Sequence, residues 1–242
     1  FGPQYGVTDP LSSFFLIILS LSAVAVLIYA KGYIKPYLGR KSPAQISLHY
    51  CGLGILYLSM LLVVTLRDGF SFLFAWEVMT LSSFVLMLFD AERREVRRAA
   101  LSYLILMHVG FLFLLAGFVT LYASGLPASF DALALYGEQG GNIIPLFIVF
   151  LIGFGMKAGI FPLHVWLPEA HPAAPAHISA FMSGVMIKTG VYGVMRVVSC
   201  FDSHLFAIGL IVLCIGAVTG LWGVILAALQ NDTAIWSDAY DK

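Results

Sequence analysis

Gly153-Phe154-Gly155-Met156-Lys157-Ala158-Gly159-Ile160-Phe161-Pro162-Leu163-His164 ends an apolar run that begins at Ile143. A membrane helix needs about 20 mainly apolar residues, and Ile143–Pro162 has that length. Its charge, Lys157, is the fifteenth residue of that run, nearer its end than its start. Glycines let water or a neighbouring backbone approach, and Pro162 frees a carbonyl. Irregular backbone survives at membrane depth where it is buried in protein or lines a cavity. The segment therefore reads as a membrane helix broken near Lys157–Pro162, with Gly155, Gly159 and Pro162 as the breaking residues. The plainer reading is a cluster of packing glycines, which membrane helices commonly carry.

Six further segments flank it: Leu11–Ala30, Gln45–Leu66, Phe70–Phe89, Ala99–Tyr122, His177–Ser199 and His204–Gln230. They lack period-2 alternation and are too long for barrel strands. The reading is all-α, a polytopic transmembrane bundle of seven spans. Composition agrees: 60% of the 242 residues are hydrophobic and 11% are charged, against about 25% charged in soluble domains. Thirteen basic and thirteen acidic residues cancel, so no global field attracts polyanions and a nucleic-acid partner is excluded. Cys51, Cys200 and Cys214 form no CxxC, and no metal role is assigned to them.

The loops set the orientation. Lys31–Lys41 holds Lys31, Lys35, Arg40 and Lys41; Asp90–Arg98 holds Arg93, Arg94, Arg97 and Arg98. Alternating spans put both on one side, with only Arg67 and Arg196 opposite. The positive-inside rule makes loops 31–44 and 90–98 cytoplasmic and Phe1 external, in a plasma (inner) membrane. The basic-poor loop Ala123–Asn142 fits an external surface, with one amphipathic turn in the interface.

Three charges stand inside spans: Glu77, Lys157 and Lys188. A charge at a helix centre costs roughly 2.5–3.5 kcal/mol on insertion scales and usually marks an ion or proton path. A structural Glu–Lys pair, or a Lys snorkelling to the interface, are the plainer readings. Thr80, Ser82 and Ser83 follow Glu77 and either hold water or bond backbone carbonyls. Imidazole exchanges protons near neutral pH, which adds His108, His164, His171 and His177 as auxiliary groups. The alternative for the last three is that they seat the Pro168–Pro175 turn. His164 falls seven residues after Lys157 and His177 eleven before Lys188, each near the same helical face if the helix continues. No GxxxxGK[ST] or strand–GxGxxG–helix occurs, and His108 has no evident partner for haem. No cofactor is expected.

The run Gly153–His171, with Ala174-Pro175, Ser183-Gly184 and Lys188-Thr189-Gly190-Val191-Tyr192-Gly193, resembles the antiporter-like proton-channel subunits. These occur in respiratory complex I, membrane-bound hydrogenases and multisubunit Na⁺/H⁺ antiporters. Phe74–Ser83 and Arg93–Tyr103 look most like the hydrogenase-4 component B and formate hydrogenlyase membrane subunits. The resemblance covers about residues 8–232, as the family's third to ninth helices. Residues 1–232 are thus expected to be one antiporter-like domain, a fragment without the family's first two helices and second repeat. Residues 233–242 are a tail that does not match.

The resemblance implies roles. Glu77 matches the family's fifth-helix glutamate, Lys157 the lysine at the seventh-helix break and Lys188 the eighth-helix lysine. His164 and His171 match positions in the following turn. It implies a proton-translocating, non-catalytic subunit of a redox-driven complex, with other membrane subunits of a complex I-like or hydrogenase complex as partners. Lys157 would alternate between pairing with Glu77 and standing alone among apolar walls. The alternatives are a multisubunit Na⁺/H⁺ antiporter subunit, for which Glu77 is the one intramembrane carboxylate, and an inert structural fragment.

Overall fold

A computed structural model describes residues 9–201 and 205–229. Phe1 and the tail 233–242 lie outside the described residues. Ten α-helices follow in order: α1 Pro10–Tyr33, α2 Pro43–Thr65, α3 Gly69–Met87, α4 Arg94–Ala123, α5 Ala132–Glu138, α6 Ile143–Ala158, α7 Leu167–Ala173, α8 Ala176–Phe181, α9 Ile187–Val198 and α10 Leu205–Leu229. One π-helical turn, Met182–Met186, joins α8 to α9, so Ala176–Val198 is a single crossing.

Short polar residues start the early helices. Asp9 accepts from Ser12 N ahead of Pro10, and Asp68 accepts from Ser71 N. Ser42 and Gln45 form a reciprocal capping box around Pro43. Among the described residues, six crossings are long and apolar enough for a membrane. The seventh, α6, is shorter than expected. It stops at Ala158 because Gly159 turns left-handed (φ 71°) and Ile160 N donates back to Gly155 O at 3.1 Å. That six-to-one bond is a Schellman ending, for which glycine pays no Cβ penalty. At about 1.5 Å per residue, sixteen residues span about 24 Å, short of a hydrocarbon core of about 30 Å. The indole Nε1 of buried Trp166 donates to Met156 O at 2.8 Å, satisfying a carbonyl that the break sets free.

Helix α6 lies between α4 and α9, and glycine permits both contacts. A Cβ on Gly110 would meet Gly153 O at 3.1 Å, and one on Gly190 would meet Phe154 O and Ala158 N at 2.6 Å. Phe72, Trp76, Phe118, Phe130, Phe150 and Phe154 fill the space between α3, α4, α6 and the loop before α5, mostly edge to face. The long loop is well seated, since Phe130, Ala132 and Leu133 are buried. Outward faces remain apolar: Phe14, Leu21, Ile28, Phe74, Phe206, Leu213 and Leu221 are all exposed. In water such a surface would aggregate; in a bilayer it meets acyl chains. The molecule is a multi-pass membrane protein.

The two basic segments touch, as one-sidedness requires. Lys41 Nζ donates to Phe89 O (2.9 Å) and pairs with Glu92 (2.8 Å) and Asp90 (3.2 Å). Burial works against the Lys41 ammonium, but Glu92 and Asp90 outweigh it and hold its pKa above the ordinary lysine value. Asp90–Arg98 is not wholly a loop, because α4 begins at Arg94 and takes Arg97 and Arg98 into its first turns.

Candidate functional site

Lys157 is 1% exposed, near the end of α6. Its Nζ donates to Thr80 Oγ1 on α3 (3.1 Å) and to Tyr103 Oη on α4 (3.0 Å). The Trp76 and Tyr103 ring centroids lie 5.7 and 5.4 Å from it. Ser83 Oγ lies 2.6 Å from the Tyr103 hydroxyl; when the one Ser83 hydrogen is on Met79 O or Thr80 O, the tyrosine is the donor. Of the two readings the sequence offered for the hydroxyls after Glu77, the structure shows the bonds to backbone carbonyls. Thr80, Ser82 and Ser83 bond carbonyls of their own helix, and Thr80 also accepts from the lysine. Among the described residues, no carboxylate comes within ion-pair distance of Lys157.

Glu77 lies on the same helix, one turn before Thr80, and meets His108 of α4 instead. Glu77 Oε1 lies 2.9 Å from His108 Nε2, off the hydrogen-bond direction. His108 Nδ1 faces Leu104 O at 2.9 Å, and since a carbonyl only accepts, Nδ1 carries a hydrogen. The contact with Glu77 is attractive only when the pair holds a further proton. Glu77 and His108 thus form one unit, and Lys157 with its hydroxyls another. Lys157 and Glu77 are apart in the structure.

Lys188 is exposed, and its Nζ donates to Ser183 O at 2.7 Å. That carbonyl belongs to the π-helical turn, where i→i−4 bonding is interrupted. The wide turn also re-phases the helix. His177 and Lys188 would share a face on an unbroken α-helix; instead His177 is buried and Lys188 exposed. His164 follows the break, half-buried, with a buried Nδ1 that has no partner. His171 Nδ1 is 3.0 Å from Ser179 Oγ, which ties α7 to α8. Gly159 ends the helix, Gly155 supplies the carbonyl that closes the ending, and Pro162 follows in the irregular segment.

Two polar residues escaped the sequence reading. His49 of α2 is buried, with Nε2 2.7 Å from His177 Nε2. Arg196, read as an end-of-span residue, is 3% exposed. It donates to Asp9, Ser12 Oγ (2.9 Å) and Tyr192 Oη (2.8 Å), while Arg67 also reaches Asp9 at 2.9 Å. The Arg196 hydrogen bonds hold the Asp9 carboxyl well below the usual carboxylate range. Arg196 is a fourth charge within the bundle, fastened at the end away from the basic loops.

Residues 67–234 match the family described as NADH:quinone oxidoreductase/Mrp antiporter, transmembrane. An uncharacterized Mycobacterium tuberculosis protein, Rv0083, is 36% identical over 93% of this chain and 34% of its own length. Hydrogenase-4 component B of Escherichia coli K12 is 31% identical over 93% of this chain and 33% of its own. The putative antiporter subunit mnhA2 of Staphylococcus saprophyticus is 30% identical over 93% and 28%. The chain spans about a third of the length of these curated relatives. A chain of the membrane-bound sulfane sulfur reductase, an archaeal respiratory membrane complex, superposes with TM-score 0.77 at 28% identity, over 91% of this chain and 36% of that one. A chain of the Mrp complex from Dietzia sp. DQ12-45-1b shares the fold, with TM-score 0.68 at 21% identity over 81% and 36%. The chain belongs to the NADH:quinone oxidoreductase/Mrp antiporter transmembrane family.

Proposed function

We propose that this chain is part of a proton-translocating membrane subunit of a redox-driven complex, in which H⁺ moves through Glu77, Lys157 and Lys188. The observation that carries the reading is the fully buried Lys157, held by two hydroxyls and, among the described residues, by no carboxylate. A carboxylate beside an ammonium favours its charged form, and apolar walls favour the neutral amine. A lysine that moves between the two settings takes up and gives off one proton. In this setting Glu77 Oε1 lies 2.9 Å from His108 Nε2, so a protonated His108 would balance the carboxylate charge during the exchange. The membrane potential acts on one charge with about 2.3 kcal/mol per 100 mV, comparable with breaking one charge-assisted hydrogen bond of about 1.5–3 kcal/mol. Energy of that size in the partner subunits is enough to move the proton. Other membrane subunits supply it, as the likeness to a respiratory complex and a hydrogenase component supports.

The test is made in the full-length protein within its complex. Lys157→Met, Lys188→Met and Glu77→Gln should each abolish proton translocation into vesicles while the complex still assembles. Normal translocation with all three neutralised refutes the reading. A second reading, Na⁺/H⁺ exchange, draws on the likeness to an antiporter subunit. A Na⁺-dependent pH change in vesicles without redox substrate would select it. Hard cations want several oxygen ligands, and Glu77 is one carboxylate.

A further inference from the structure

We infer that His49 and His177 form a proton-transfer pair connecting the basic-loop end of the bundle to the Lys157 relay; this rests on the reading above. The two rings come from α2 and α8, 128 residues apart, with both side chains buried and Nε2 facing Nε2 at 2.7 Å. Two imidazole nitrogens approach so closely only with one hydrogen between them. The neutral pair has that bridging hydrogen and one more, on the outer Nδ1 of whichever ring accepts. It can take one extra proton, on the vacant Nδ1, and no second, because two N–H groups would then face each other.

The buried Nδ1 of His177 has no partner. A hydrogen there is unsatisfied, so the neutral pair rests with His177 donating and the outer hydrogen on His49. Transfer adds a proton at one outer nitrogen, passes the bridging proton across and releases a proton from the other outer nitrogen. Charge and hydrogen count balance; the pair is left as its opposite tautomer, and both rings must turn before it passes another proton the same way. A metal does not fit this spacing, since nitrogens bound to one zinc at about 2.0–2.1 Å in a tetrahedral site stand farther apart.

Placement supports the link. His49 is six residues into α2, about 9 Å from its start, and Tyr103 is nine residues into α4, about 14 Å from its start. Both helices start at the end where Lys41 meets Glu92 and Asp90. The pair therefore lies between those loops and the depth of Lys157. Tyr33 of α1 packs on His177 (centroids 4.8 Å) and Phe89 on His49 (4.6 Å). The ionisable groups around it are Tyr33 and Tyr37 beyond it, Tyr50 beside His49, and Asp90 with its partner Lys41. Among the described residues, none forms an ion pair with either ring.

The experiment uses the full-length protein in its membrane complex. His49→Gln and His177→Gln should each slow proton translocation by roughly a hundredfold, the scale of one positioned acid–base group, and the double variant should be no slower than either. In the unsubstituted protein, ¹⁵N-histidine spectra should show both rings titrating together in one step, and His49→Gln should change the step at His177. Two independent titrations, or a double variant that translocates normally, overturn the pair. If the double variant translocates normally while Lys157→Met does not, the pair falls and the relay stands. If Lys157→Met translocates normally, the relay falls, and the spectra alone decide for or against the shared proton.

Discussion

Gly190→Ala tests whether the helix carrying Lys157 is held in place by the closeness of its neighbours. The added methyl would lie 2.6 Å from Ala158 N and Phe154 O and 2.9 Å from Ala158 Cβ. The first two are backbone atoms and cannot rotate away. Moving from 2.6 to an ordinary 3.4 Å parts α6 from α9 by about 0.8 Å. Overpacking of this kind costs about 1–3 kcal/mol, and a misplacement near 1 Å in a reacting constellation costs up to about a hundredfold in rate. Lys157 neighbours Ala158 in the chain, so both losses arise from one methyl. The assay is a denaturation midpoint in detergent together with translocation in vesicles. The control is Gly184→Ala, whose methyl would meet nothing within 4 Å. If Gly190→Ala matches the control in both measurements, the argument for close packing fails.

Tyr103→Phe removes a hydroxyl shared by Lys157 and Ser83 and should cost about 1.5–3 kcal/mol in the unfolding midpoint. Adding Thr80→Val should not cost the sum of the two single changes, because both groups serve one lysine. Trp166→Phe leaves the Met156 carbonyl without its indole partner, and a loss of about 1–3 kcal/mol should appear in the same assay. The Asp9 carboxyl is held low by Arg196, so its contribution is complete above the ordinary value of about 3.9 and fades as pH falls below it. Asp9→Asn should therefore lower the thermal midpoint at pH 7, by a gap that closes as pH falls below about 4. A gap that is constant with pH would dissociate the effect from ionisation.

Spans were legible because length and apolarity identify a membrane helix almost by themselves. The break was legible too: Gly159 and Pro162 are local signals, and the chain turns where they stand. The direction each helix faces was not. A helix apolar on all sides carries no amphipathic phase, so nothing in α3 or α4 told which side meets α6. Tyr103 therefore looked like one aromatic among many, although it touches Lys157 54 positions away. His49 meets His177 across 128 residues, with no local signature at either position. The π-helical turn Met182–Met186 lay hidden between His177 and Lys188 and reversed the expectation that the two share a face. Arg196 was seen as a charge at a span's end, but Asp9, its partner, is 187 residues away.

The hydroxyl surroundings of Lys157 have one more consequence. A carboxylate beside an ammonium must swing away when the charge departs, dragging its helix or water with it. A hydroxyl both gives and accepts. When Lys157 becomes an amine with a lone pair, Thr80 or Tyr103 can turn its own hydrogen, now directed at Trp76 O or Ser83 Oγ, back towards the nitrogen. In this setting, apart from Glu77, only a light rotor spins and the carbon and oxygen skeleton keeps its shape, so emptying the lysine here asks for no movement beyond its own return to the carboxylate.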